Sequence, residues 1–177
     1  MNTSALAHTP QTWSQLASIT KPSEEHNNIG DAYLKFLLNE QTPAVISMHQ
    51  AQEVLVLPQE RLTPMPNMPF YVQGLMNRRS RVLWVIDLAQ MLGLPTVETN
   101  VQQYNIVTLR NQSASLGVAV QSIEGVLRLT PDCIQSPLGQ VSSGLVPYLR
   151  GCALQEQEIL LVLDGLAIMA SSLLHNT

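Results

Sequence analysis

Charge is scarce in this sequence. Asp, Glu, Lys and Arg make up 12% of its 177 residues, about half the usual share of a soluble domain. Much of any folded surface must then be neutral or apolar, and docking partners is one way of covering it. The few Lys and Arg residues are scattered apart from Arg78, Arg79 and Arg81, and the formal net charge is -4. A nucleic-acid footprint needs a broad basic face to displace counterions, so nucleic acid is excluded as the expected partner. Aromatic residues reach only 5%, which leaves packing to aliphatic side chains. Cys133 and Cys152 stand far apart with no His nearby, so neither a redox Cys-x-x-Cys nor a zinc spacing exists, and both are expected as reduced, mostly buried thiols. No apolar run approaches the roughly 20 residues of a membrane helix, and no basic segment leads into an apolar one at the N-terminus. A cytoplasmic protein without direct membrane insertion is the expectation.

Hydrophobic residues, in contrast, reach 45%, enough to fill a real core. Residues 1–31 are rich in Ser, Thr, Asn and Gln, carry Pro10 and Pro22, and read as a flexible N-terminal tail. Within it Trp13, Leu16 and Ile19 are spaced for one apolar turn of helix. From Tyr33 onward short apolar runs are broken by turn residues: Tyr33–Leu38, Ala44–Met48, Glu53–Leu57, Val82–Ile86, Tyr104–Leu109, Leu116–Val120, Val126–Leu129 and Ile159–Leu163. Strands of this length and spacing predict an all-β barrel or sandwich. Helical signals are brief, at Leu88–Leu92 and Leu166–Leu174.

The two halves of the chain also match each other. A shift of 71 residues places Tyr33 on Tyr104, Leu38 on Leu109, Gln41 on Gln112, Gln50 on Gln121 and Glu53 on Glu124. A shift of 77 places Tyr71 on Tyr148, Gly74 on Gly151, Val85 on Val162 and Asp87 on Asp164. The order and structural type agree, which predicts a duplicated small barrel, with the extra length taken up between Pro131 and Pro147. The copies are assigned to about 32–100 and 101–172, within one domain over 32–172, and their strands are free to exchange between barrels.

Candidate chemistry is sparse. Asp87 and Asp164 each follow an apolar strand and open a short helix, where a carboxylate accepts from the unpaired N–H groups of the first turn. Gln90, three residues after Asp87, resembles the partner of a capping box. His8, His26, His49 and His175 form no ligand spacing, and no metal or cofactor is expected. His49 would be the only base available to a hydrolase inside the folded region, and the strand-to-strand turn predicted there makes it a surface residue instead. An enzyme is therefore not expected. One hairpin tip, Met76–Arg81, is basic, while its counterpart Leu154–Glu158 is acidic, a divergence suited to two different docking faces.

The stretch Pro69-Phe70-Tyr71-Val72-Gln73-Gly74-Leu75-Met76-Asn77-Arg78-Arg79-Ser80, then Val82-Leu83-Trp84-Val85-Ile86-Asp87-Leu88, resembles the signature of the CheW family, the coupling proteins of bacterial chemosensory systems. The resemblance covers about residues 31–172. It implies two SH3-like five-stranded β-barrels with a short C-terminal helix, no catalysis and no cofactor. It also implies a scaffold in chemotaxis or pilus-based taxis, with a CheA-type histidine kinase and the cytoplasmic tip of a methyl-accepting receptor as partners. Twitching and phototaxis branches are included. On this resemblance Glu53, Asn77, Arg79 and Ser80 face the receptor, and Glu124 and Val126 face the kinase. Ser80 stands where the family usually has Gly and Trp84 where it usually has Pro, so the hairpin and the strand after it are expected to differ in shape. A stand-alone barrel binding a ligand or nucleic acid is the alternative.

Overall fold

The structure is a computed structural model, and it describes residues 29–96, 101–136, 139 and 141–175. The expected tail lies, up to Asn28, outside the described residues. Eleven strands are present among the described residues: β1 (Asp31–Asn39), β2 (Thr42–Ser47), β3 (Ala51–Pro58), β4 (Val72–Arg78), β5 (Arg81–Asp87), β6 (Gln103–Arg110), β7 (Ser115–Val120), β8 (Ser122–Leu129), β9 (Ile134–Gln135), β10 (Leu149–Gln155) and β11 (Glu158–Leu163). The eight apolar runs fall in strands, except that Met48 at the end of the second lies in the turn after β2. The three strands without such a run are β4, β9 and β10. In β4 and β10, polar residues and a glycine at positive φ break the apolar pattern, Gly74 at 138° and Gly151 at 156°. These glycines are required, because a Cβ on Gly74 would overlap the Thr63 carbonyl oxygen and one on Gly151 the carbonyl oxygen of Gln135. The ladder slips a residue at both places, so each glycine marks the same bulge in its copy of the hairpin.

The duplication is visible in the strand limits. A shift of 71 residues carries Ala51–Pro58 onto Ser122–Leu129, and one of 77 carries Val72–Arg78 onto Leu149–Gln155. β2 and β7 do not share the 71-residue frame. Two residues, Glu40 and Gln41, join β1 to β2, whereas four, Asn111–Ala114, join β6 to β7. The offset is cancelled afterwards: Met48–Gln50 follow β2, and Gln121 alone follows β7. The match of Gln41 to Gln112 therefore falls in turns of unequal length.

Each sheet draws strands from both copies. One has the order β8-β1-β2-β11-β10-β9 and the other β3-β6-β7-β5-β4. The first hairpin of each copy has crossed into the barrel of the other, and a parallel ladder marks each crossing, Val162 beside Val45 and Val85 beside Gly117. Two small cores result, one around Tyr33, Val45, Leu129 and Leu160 and one around Met76, Leu83, Val85 and Ile106. A larger cluster containing Phe36, Ile46, Ile86, Leu109, Leu163 and Ile168 draws from both sheets. With aliphatic burial contributing about 25 cal/mol per Å², this shared core ties the barrels together.

Both expected helix starts are present. Asp87 Oδ1 accepts from Gln90 N at 2.9 Å, opening helix Leu88–Met91. Asp164 Oδ1 accepts from Leu166 N at 3.0 Å, opening Gly165–Met169. The C-terminal stretch is not one helix over Leu166–Leu174. It breaks at Ser171, whose Oγ takes Leu173 N at 3.2 Å, and resumes as Ser172–His175, since a serine that bonds its own backbone competes with the helix. Cys133 is exposed, contrary to the expectation of a buried thiol, because it lies in the 3-10 turn Pro131–Cys133 after β8. Cys152 is partly buried in β10. His49 is exposed in the turn after β2.

Candidate partner-binding surface

Strand β3 lies at one edge of its sheet, and the β4–β5 hairpin lies at the other. The residue that joins them is Glu53. Its carboxylate takes Arg78 Nε at 3.2 Å and also Arg78 Nη2, and Arg79 Nη2 stands 3.4 Å away. The forked guanidinium of Arg78 suits this two-point contact. Arg78 holds the Glu53 carboxyl below the ordinary carboxylate range, and Glu53 raises Arg78 in return. Arg79 is mostly free in solvent, its side chain 76% exposed. Beside it are Asn77, exposed in β4 opposite Val82, and Ser80, exposed at the turn.

The tip is a two-residue turn closed by the pair Arg78 and Arg81. Both central residues are left-handed, Arg79 at φ 49° and Ser80 at 61°, the conformation of the hairpin turn that matches strand twist. Ser80 therefore makes without glycine a turn that favours glycine. The second hairpin does the same with Glu156 at 47° and Gln157 at 68°. Trp84 sits inside β5, paired with Leu75 on one side and Leu116 on the other. It lines an apolar groove with Met68, Val72, Ile86 and Leu173, and Tyr71 O–H donates to the Leu173 carbonyl at 2.6 Å.

The other sheet repeats the design with its charges changed. Glu124 on β8 occupies the position of Glu53, but the hairpin across from it carries Glu158 in place of Arg81. Lys35 of β1 stands between the two carboxylates, 3.5 Å from Glu124 and 2.6 Å from Glu158. The hydrogen bond to Glu158 holds the Lys35 ammonium above its usual range despite partial burial. Val126 is 60% exposed on the same strand.

Glu53, Asn77, Arg79 and Ser80 thus meet at one tip, and Glu124 and Val126 share a strand of the other sheet. Sequence reasoning had Arg78 and Glu158 only as members of the two charged tips and gave Lys35 no role, whereas Arg78 holds Glu53 and Lys35 holds both Glu124 and Glu158. Lys35 had a signal: it is the one charge inside the apolar run Tyr33–Leu38, and a half-buried ammonium needs a carboxylate. No helix among the described residues is long and apolar enough to cross a membrane.

The family model of the CheW-like domain matches residues 32–173. Chemotaxis protein CheW of Thermotoga maritima is 30% identical over 97 residues, covering 52% of this chain and 63% of that protein. Chemotaxis protein CheW of Treponema pallidum is 31% identical over 105 residues, 57% of this chain and 61% of the relative. Protein PilI of Pseudomonas aeruginosa is 26% identical over 113 residues, 64% of this chain and 62% of PilI. The matches span less than two thirds of the length of these relatives. The solved structure of the scaffolding protein TtCheW from Thermoanaerobacter tengcongensis shares the fold, with a TM-score of 0.67 over 77% of this chain and 90% of that one at 17% identity. With most of its length inside one family model and its two sheets in that family's fold, the chain belongs to the CheW-like domain family.

Proposed function

We propose that this chain is a non-catalytic scaffold that couples methyl-accepting receptors to a CheA-type histidine kinase in chemotaxis or pilus-based taxis. The family match over 32–173, which takes in both barrels, carries this reading. The relatives named for chemotaxis and the PilI protein support its two output branches. The protein works in the cytoplasm and is recruited to receptor arrays at the membrane.

The receptor-facing surface is the tip built from Glu53, Asn77, Arg79 and Ser80. Glu53 fixes Arg78 and thereby the turn, which leaves the Arg79 guanidinium to meet a carboxylate or backbone oxygen of the receptor. Exposed Glu124 and Val126 on β8 form the kinase-facing surface. Such interfaces are weak and reversible, with Val126 supplying apolar contact and the charges supplying orientation. Co-purification with the receptor's cytoplasmic fragment tests the assignment. Arg79→Glu abolishes receptor capture with the melting transition unchanged, and Val126→Arg abolishes kinase capture while sparing the receptor. Unchanged receptor binding by Arg79→Glu removes the tip from the interface.

A further inference from the structure

The duplication sets one carboxylate at the same point of each copy, Asp87 and Asp164, and the two are met differently. Asp164 Oδ2 stands 3.8 Å from Arg150 Nε, and its Oδ1 accepts from Gln50 Nε2 at 3.1 Å. Gln50 is buried, and its Oε1 takes Gly165 N at 2.9 Å. The chain thus supplies both a guanidinium and a carboxamide to its own carboxylate. In the first copy, the shift of 77 residues puts Gln73 where the second has Arg150 and Leu88 where it has Gly165, and the shift of 71 puts Gln121 where Gln50 stands. A Cβ on Gly165 would come within 3.1 Å of Gln50 Oε1, so a side chain at that position crowds the carboxamide. Leu88 carries one, and Gln121 is exposed rather than folded in. Gln73 Oε1 accepts from Tyr104 O–H at 3.2 Å. Among the described residues no Lys, Arg or His pairs with Asp87.

Asp87, Gln73, Gln121 and Tyr104 line one cleft of about 810 Å³, a volume suited to a small organic ligand. Nine of its eighteen lining residues are Asn or Gln, two are the carboxylates Glu40 and Asp87, and none is Lys, Arg or His. Amide oxygens accept from N–H donors, and a half-buried carboxylate calls for a positively charged one. We propose that this cleft binds a small guanidinium compound, whose N–H groups meet Asp87 as Arg150 meets Asp164. The second copy is the template: it sets a guanidinium against the matched carboxylate in the same strand-to-helix setting. A guanidinium fork suits a carboxylate better than a single ammonium does, and the rest of the ligand lies along the amides. The inference involves neither receptor nor kinase and stands apart from the coupling reading.

An NMR titration of the full ¹⁵N-labelled chain with agmatine tests it. Saturable shifts appear at the amides of 87–90, 103–105 and 119–121, where the cleft is built. Butylurea, of similar shape but uncharged, binds the wild-type chain at least about tenfold more weakly. Asp87→Asn, which keeps the helix cap, weakens agmatine binding by about the same factor. Gln73→Arg rebuilds the arrangement of the second copy and blocks the ligand with the chain's own guanidinium, although Asp87 is still there. Far-UV circular dichroism of both variants matches wild type, which separates a lost site from a lost fold. Absence of saturable binding up to about 50 mM agmatine overturns the proposal. So does butylurea binding as tightly as agmatine, or either variant binding as tightly as wild type. Shifts that spread to Glu156 and Glu158 reveal only a general attraction of cations to an acidic chain, and overturn it too.

Discussion

Ser80→Gly stabilises this protein. The perturbation acts at the turn of the β4–β5 hairpin, where Ser80 is held at φ 61° between Arg79 at 49° and the closing residue Arg81. A left-handed residue with a Cβ costs about 1–2 kcal/mol through its contact with the following carbonyl. Glycine removes that cost but returns roughly 0.5–1 kcal/mol as extra freedom of the unfolded chain. The net gain is about 0.5–1 kcal/mol, which for a domain of this size raises Tm by roughly 1–4 °C. Far-UV circular dichroism during urea unfolding reads it as a higher midpoint at unchanged slope. Ser80→Ala, which keeps the Cβ, gives no such gain. Gln157→Gly repeats the effect in the second hairpin, and because the two turns belong to different sheets the double variant adds within a few tenths of a kcal/mol. If Ser80→Gly lowers the midpoint, or Ser80→Ala matches it, the turn is not under the strain argued for it.

Three further outcomes follow from the packing and the charges. Gly151→Ala drives a Cβ into the Gln135 carbonyl and detaches β9 from β10, costing at least ~2 kcal/mol by the same unfolding measurement. Lys35→Met leaves Glu124 and Glu158 facing each other and costs about 1 kcal/mol at neutral pH. The folded value of Lys35 lies above its ordinary 10.5, so the stability it contributes is whole below that pH and drains as pH rises through the folded value. The alkaline limb of a Tm against pH curve flattens in the variant. Burial raises the Asp87 carboxyl above 3.8, against the lowering by the Gln90 and Ala89 N–H groups. Its folded form therefore holds a proton more tightly than its unfolded form, and wild-type stability falls as pH rises through that range. Asp87→Asn keeps the helix cap, removes that fall and melts no lower than wild type at pH 7.

Much of this architecture was legible because the repeat writes each signal twice. The Asp87 and Asp164 caps, the hairpin tips and eight of the strands could be read from apolar runs and turn residues. β4 and β10 lacked a run because their bulges need glycine and their outer faces are polar. The exchange of hairpins left no trace in the pattern, since a strand reads the same whichever barrel receives it. The frame of β2 on β7 misled because an insertion before the strand is cancelled by a deletion after it. At the tips the sequence pointed to Glu53 and to the arginine cluster but not to the pairing of Arg78 with Glu53, which depends on β3 and β4 closing the same barrel. Lys35 was missed for a similar reason: its two carboxylates lie on β8 and in β11, far from it in sequence and adjacent only once the strands have exchanged.

The central claim is that one scaffold joins two partners, the receptor at the β4–β5 tip and the kinase on strand β8. Its most direct test is receptor-stimulated autophosphorylation of a CheA-type kinase, reconstituted from purified receptor cytoplasmic fragment, kinase and this chain. Stimulation appears only when the chain is present and is lost with Arg79→Glu, the kinase's basal rate staying as it was. Stimulation of equal size without the chain, or a mixture in which the chain sediments with neither partner, contradicts the account.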